Sequence, residues 1–159
     1  MSLAIVYTRA ALGIEAPLIT VEVHLSNGLP GLTMVGLPET TVKEARDRVR
    51  SALINSGYAF PAKKITINLA PADLPKEGGR YDLPIALALL VASEQLNTTR
   101  LNQYEFVGEL ALTGGLRGVP GAIPSAMEAI KAGRRIVVSS DNAAEVGLIG
   151  GSDCLVADH

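Results

Sequence analysis

Apolar and polar positions alternate cleanly from Ile19 to Leu25. Ile19, Val21, Val23 and Leu25 fall on one face, Thr20, Glu22, His24 and then Ser26 on the other, the period-two mark of a half-buried strand. Lys64 to Leu69 repeats the pattern with Ile65, Ile67 and Leu69, and Leu3 to Tyr7 is a shorter strand-like run. Asn27-Gly28 and Pro30-Gly31 mark a turn, after which Leu32 to Leu37 reads as the returning strand of a hairpin. The period then changes. Val42, Ala45, Val49, Ala52 and Leu53 recur at helical spacing, with Thr40 or Thr41 as the cap and Gly57 as the stop.

Ile85 to Gln95 is apolar on nearly every side and predicts a central buried helix. Asp82 is placed to cap it, and Pro84 is tolerated in its first turn. Phe106 to Leu112 reads as a strand containing Glu109. Gly114-Gly115 turns, and Leu116 to Val119 predicts a short strand. Pro120-Gly121 opens a helix with Ile123, Ala126, Met127 and Ile130 on one side, and Gly133 ends it. Ile136 to Val138 is a strand, Asn142 to Val146 a short helix and Cys154 to Val156 a last strand. Such alternation without strict βαβ regularity predicts an α+β or mixed α/β fold, a mixed sheet with packed helices.

Composition narrows this picture. The 159 residues suit one domain spanning 1–159. They are 48% hydrophobic but only 4% aromatic, with no Trp, so the core must be aliphatic. The net charge of -2 exerts no global pull toward nucleic acid or anionic membrane, and any such binding must come from a local patch. The single Cys154 excludes an intrachain disulfide and a cysteine-cluster metal site. No signal-peptide pattern opens the chain, and the run Leu83 to Ala92 is too short to span a bilayer. A cytoplasmic protein without a membrane partner is expected.

Chemistry-bearing motifs are sparse. Neither the phosphate-cradling G-x-x-x-x-G-K-[ST] loop nor G-x-G-x-x-G occurs, and Gly115, Gly118 and Gly121 read as turn residues. His24 and His159 join no Ser/His/Asp set. Lys43, Arg46 and Arg50 form a basic stripe diluted by Glu44 and Asp47, either a solvated face or a contact for DNA or a subunit. Lys63, Lys64, Lys76 and Arg80 form a second basic group, offset by Asp73, Glu77 and Asp82. Those carboxylates lack the spacing of a calcium loop. No catalytic, cofactor-binding or metal-ligating residue is assigned.

Three stretches carry a family resemblance: GLPGLTMVGLPETTVKEARDRVRSALINSGYAFP, ITINLAPADLPKEGGRYDLPIALALL and GELALTGGLRGVPGAIP. Together they resemble the amino-terminal domain of the YifB/ComM family of magnesium-chelatase-like ATPases, over essentially the whole chain. The resemblance implies a ribosomal protein S5 domain 2-like fold, similar to the proteolytic domain of Lon. It implies an AAA+ module downstream, where ATP and magnesium would bind. It also implies a hexamer of the full-length protein, acting as a helicase on branched DNA during natural transformation.

Lon proteases carry a Ser–Lys pair, the serine within Pro-Lys-Asp-Gly-Pro-Ser-Ala-Gly. Here Pro75-Lys76-Glu77-Gly78 begins that pattern, but Arg80 or Asp82 falls at the serine, and Ile123 or Pro124 near the lysine. A Ser–Lys mechanism needs a hydroxyl and an amine within reach of each other, so no peptidase activity is expected. The leading expectation is a non-catalytic scaffold and interaction domain, contacting DNA weakly and through charge. Six aromatics in all leave little base stacking. The alternatives are a degenerate Lon-like peptidase and a magnesium-chelatase-related ATPase subunit.

Overall fold

A computed structural model describes residues 2–74, 76, 78–149 and 153–159. Pro75 and Glu77, which opened the Lon-like pattern and the carboxylate group, lie outside the described residues. The chain runs β1 (Leu3–Arg9), β2 (Leu18–Ser26), β3 (Gly31–Val35), α1 (Glu39–Asn55), β4 (Lys64–Ala70), α2 (Asp82–Ala92), β5 (Tyr104–Phe106), β6 (Glu109–Leu110), β7 (Leu116–Arg117), α3 (Ala122–Lys131), β8 (Arg135–Ser139), α4 (Ala143–Val146) and β9 (Cys154–Ala157). Seven strands form one sheet in the order β3-β4-β2-β1-β5-β8-β9, and β6 and β7 pair apart from it. The sheet is mixed: β1 to β2 and β2 to β4 are antiparallel, and the other neighbours run parallel. The α+β reading therefore holds.

The hairpin expected after Asn27-Gly28 does not form. β2 has β1 on one side and β4 on the other, with Val21 opposite Leu69 and Val23 opposite Ile67. Both of its edges are taken, so β3 lies beyond β4 and pairs with it in parallel, Gly31 opposite Lys64. A parallel pair needs a crossover, and α1 supplies it. The cap of α1 is Pro38, not Thr40 or Thr41, with no side-chain cap bond. Its end matches the expected stop: Gly57 has φ +88, Gly57 N–H donates to Ile54 O and Tyr58 N–H to Leu53 O.

The alternating strands and the all-round apolar helix meet as their patterns require. Ile19, Val21, Val23, Ile65, Ile67 and Leu69 are almost wholly buried, and Ile85, Ala88 and Leu89 of α2 lie against them. A smaller cluster joins α3 to β8 through Ala122, Ala126, Ala129, Ile136 and Val138. Here the predicted helix face is corrected. Ala126 is buried, but Met127 is exposed and Ile123 and Ile130 are only half-buried. Small side chains line the side of α3 that packs on β8. The predicted strand over Phe106–Leu112 is broken at Val107-Gly108, where Gly108 N–H donates to Arg80 O and the chain leaves the main sheet for β6. Among the described residues no helix is long and apolar enough to cross a membrane.

Candidate functional site

The two basic groups of the sequence take different places. The loop before α2 turns inward. Arg80 is 4% exposed and Lys76 3%, so neither belongs to a surface patch. Lys76 Nζ donates to the carbonyls of Pro71 and Leu74, and burial pulls its pKa down against the opposing charge of Asp73. Arg80 Nε donates to Arg9 O at 2.9 Å, Nη1 to Pro120 O at 2.7 Å and Nη2 to Ser125 Oγ at 2.8 Å. One side chain thus ties β1, α2 and the start of α3 together.

Asp82 does not cap its helix. The cap position is Tyr81, without a side-chain cap bond, and Asp82 is the first helical residue. Its fully buried carboxylate instead accepts from Arg48 of α1, Nε to Oδ2 at 2.7 Å and Nη2 to Oδ1 at 3.2 Å, and from Leu110 N–H at 3.1 Å. Burial pushes the Asp82 pKa up to about 6, against the opposing pull of Arg48 and the Leu110 N–H. A carboxylate buried beside a guanidinium gains more from that bidentate pair than from one cap bond.

Sequence reasoning missed a further buried network. Glu105 is fully buried in β5 and accepts from Arg9 Nε at 2.6 Å and Nη2 at 2.9 Å and from Arg134 Nη1 at 3.1 Å. The Arg134 guanidinium also lies 4.0 Å from the centre of the Tyr7 ring. The available signal was a carboxylate between Tyr104 and Phe106 in a buried strand, which cannot stay charged there without partners.

Three of the other basic residues meet elsewhere. Arg46 and Arg50 from α1 and Lys63 from the start of β4 border one groove of about 480 Å³, whose apolar side includes Leu32, Ile54 and Phe60. The Arg50 guanidinium lies 5.9 Å from the Phe60 ring centre. Lys43 and Lys64 are exposed but do not border it. The structure therefore joins part of each predicted group into one face and withdraws Lys76 and Arg80 from it. His24 is exposed in β2, and His159 Nε2 lies 3.0 Å from Thr113 O. Among the described residues no three His, Cys, Asp or Glu side chains come close enough to hold a metal ion.

These features describe a mixed α/β domain with an aliphatic core, buried ion pairs beside it and a basic groove among the described residues. The family described as subunit ChlI of Mg-chelatase matches residues 21–142, and the chain belongs to that magnesium-chelatase-like family. It is 79% identical over its whole length to YifB of Escherichia coli K12 and 64% identical over 149 residues to the competence protein ComM of Haemophilus influenzae. A Mycobacterium tuberculosis protein, Rv2897c, is 38% identical over 154 residues. The chain spans only about a third of the length of these relatives.

Proposed function

We propose that this chain is a non-catalytic scaffold and interaction domain of an AAA+ ATPase that works on DNA. The observation that supports the reading is the fate of Arg80 and Asp82, the two positions that the resemblance offers for the serine of Lon, while Ile123 or Pro124 falls near its lysine. Arg80 is locked to Arg9 O, Pro120 O and Ser125 Oγ, and Asp82 to Arg48. None of these four residues is the serine or the lysine that such a pair needs. ATP and magnesium belong, on this reading, to the part of the protein that the relatives possess beyond this domain. The ring would be a hexamer, and each copy would present Arg46, Arg50 and Lys63 to DNA phosphates. Six copies of a weak charged contact add through multivalency.

The test uses the full-length protein carrying Arg46→Ala and Arg50→Ala. Affinity for branched DNA should fall, and its dependence on salt should flatten, because fewer counterions are released when fewer phosphates are neutralised. Unchanged affinity with an unchanged salt slope would remove this groove from the DNA path. The family's magnesium-chelatase name supports a second reading, an ATPase subunit of a chelatase-type complex. ATP hydrolysis by the full-length protein with and without DNA separates the two: stimulation by DNA supports the first.

A further inference from the structure

The turn that joins β1 to β2 is a knob. Leu12 and Glu15 exchange both of their backbone hydrogen bonds at 3.0 Å, and Ala10 N–H donates to Pro17 O at 3.0 Å. The two-stranded ladder thus runs out to a tip of only two residues, Gly13 and Ile14. Gly13 takes φ +63, as the first position of so tight a turn requires. Ile14 is 92% exposed and Leu12 38%. A single exposed apolar side chain is ordinary on a protein surface. Here two share one projecting, hydrogen-bonded tip, beside the exposed Glu15. Residues 10–17 hold no cation.

A matching hollow lies elsewhere on the same chain. Phe106 of β5, Val137 of β8 and Leu155 of β9 stand opposite one another in register, so their side chains form one row across the sheet. The row is left partly open. On its face α2 covers β1 and β2, and α3 packs on β8 from the other face through Ile136 and Val138. With Leu101 and Tyr104 the row lines a cavity of about 300 Å³, large enough for an isoleucine side chain. Thr98 and Arg100 stand exposed at its rim, and no acid among the described residues lines it. Arg100 Nη2 donates to the neutral Tyr104 Oη at 3.3 Å. Tip and hollow sit at opposite ends of the sheet. The strands β1, β5, β8 and β9 run parallel; the tip leaves the carboxyl end of β1, whereas Thr98 to Leu101 precede the amino end of β5. A chain therefore does not place its tip in its own hollow.

We propose that a second copy of this chain fills the hollow: Ile14 of one copy enters between Phe106, Val137 and Leu155 of the next, and Glu15 pairs with Arg100 at the rim. Apolar tip meets apolar cavity, and the acid of the one meets the cation of the other. The contact joins two different surfaces, so it is head-to-tail, the kind that generates a ring when the rotation between copies closes. It rests on the ring of the proposed function and names one of its joints. A single knob is a small contact, so it orders copies that the rest of the full-length protein also holds. Tip and hollow share no residue with the groove of Arg46, Arg50 and Lys63.

The test is disulfide cross-linking of the full-length protein in a Cys154→Ser background. Ile14→Cys and Thr98→Cys change exposed positions and leave the core alone. Mixed under mild oxidation, the two single variants should join through the introduced thiols, as peptide mass spectrometry identifies, and neither variant alone should pair with itself there. A chain carrying both should give a ladder of oligomers. Glu15→Lys and Arg100→Glu should each lower the yield several-fold, and the two together should restore it, because the pair is then reversed. Light scattering on the unaltered protein, with and without magnesium-ATP, separates this joint from the ring itself. A ring whose mixed variants do not cross-link, or whose reversed charges do not restore the yield, would overturn the joint and leave the ring standing. A monomer under both conditions would overturn both.

Discussion

Arg50 and Arg80 carry the same charge and do opposite work. Arg50 stands on the outside of α1 beside Phe60, with its charge largely in water. Arg80 is enclosed and holds three chain segments by their polar atoms. An exposed arginine is a replaceable contact whose worth appears only when a partner arrives. A buried one is part of the fold, because removing it or its acceptor leaves polar groups without partners in a poorly solvated interior. The same division separates Lys63, which borders the groove, from Lys76, which is turned inward.

The contrast is sharpest at Glu105. Its carboxylate is fully buried between Arg9 and Arg134, and the side chains of those arginines are 8% and 21% exposed. Glu105→Gln should destabilise the domain by about 3 kcal/mol, the usual scale for breaking a buried pair from one side. Urea unfolding monitored by circular dichroism measures it. A loss below about 1 kcal/mol would mean that the network is a surface-like pair and that burial does not distinguish the two sets of charges.

Asp82 comes next. Asp82→Ala leaves Arg48 and the Leu110 N–H without their acceptor, and a cost of about 2 kcal/mol is expected, since Arg48 keeps some access to water. A lost helix cap would cost about 1 kcal/mol. The pH dependence separates the roles further. Burial raises the Asp82 pKa from 3.8 to about 6, so the fold favours the protonated form. The stability this shift contributes is complete below pH 3.8 and is lost as pH rises through about 6. Wild type measured against Asp82→Asn should therefore lose relative stability across that window. A relative stability that instead rises with pH would show a carboxylate whose pKa is depressed, as in a simple exposed ion pair.

What the sequence could reveal follows from the range of each interaction. The alternation in β2 and β4 and the apolar circumference of α2 are local, and they named the core strands and the central helix. The partner of β3 was not legible, because a turn signal at Asn27-Gly28 says where the chain bends and nothing about β4 arriving between β2 and β3. Asp82 was located at the start of its helix, but its role depends on Arg48, 34 residues earlier. Arg80 and Lys76 were grouped with Lys63 and Lys64 because a polar, glycine-rich loop reads as surface. Only the folded chain shows its two cations turned inward, Lys76 to the carbonyls of Pro71 and Leu74, and Arg80 to Arg9 O, Pro120 O and Ser125 Oγ. Glu105 carried a local sign, an acid between the aromatic Tyr104 and Phe106.

The smallest expected effect completes the comparison. Arg46→Ala and Arg50→Ala should each change stability by no more than about 0.5 kcal/mol, as substitutions away from a core usually do. Arg50 has slightly more to lose, since a solvent-exposed guanidinium over an aromatic ring contributes about 0.5 kcal/mol. Arg46 has less, because its nearest acid is Asp47 at 3.8 Å and both are exposed to water. Urea unfolding of the two single variants and the double variant checks this, and the two costs should add. A combined loss of about 2 kcal/mol or more would place these arginines with Arg80 and Glu105 as supports of the fold. The DNA titration of the same double variant would then report damage to the domain rather than loss of a contact. A near-zero loss keeps α1 folded and lets any fall in DNA affinity be assigned to the missing charges themselves.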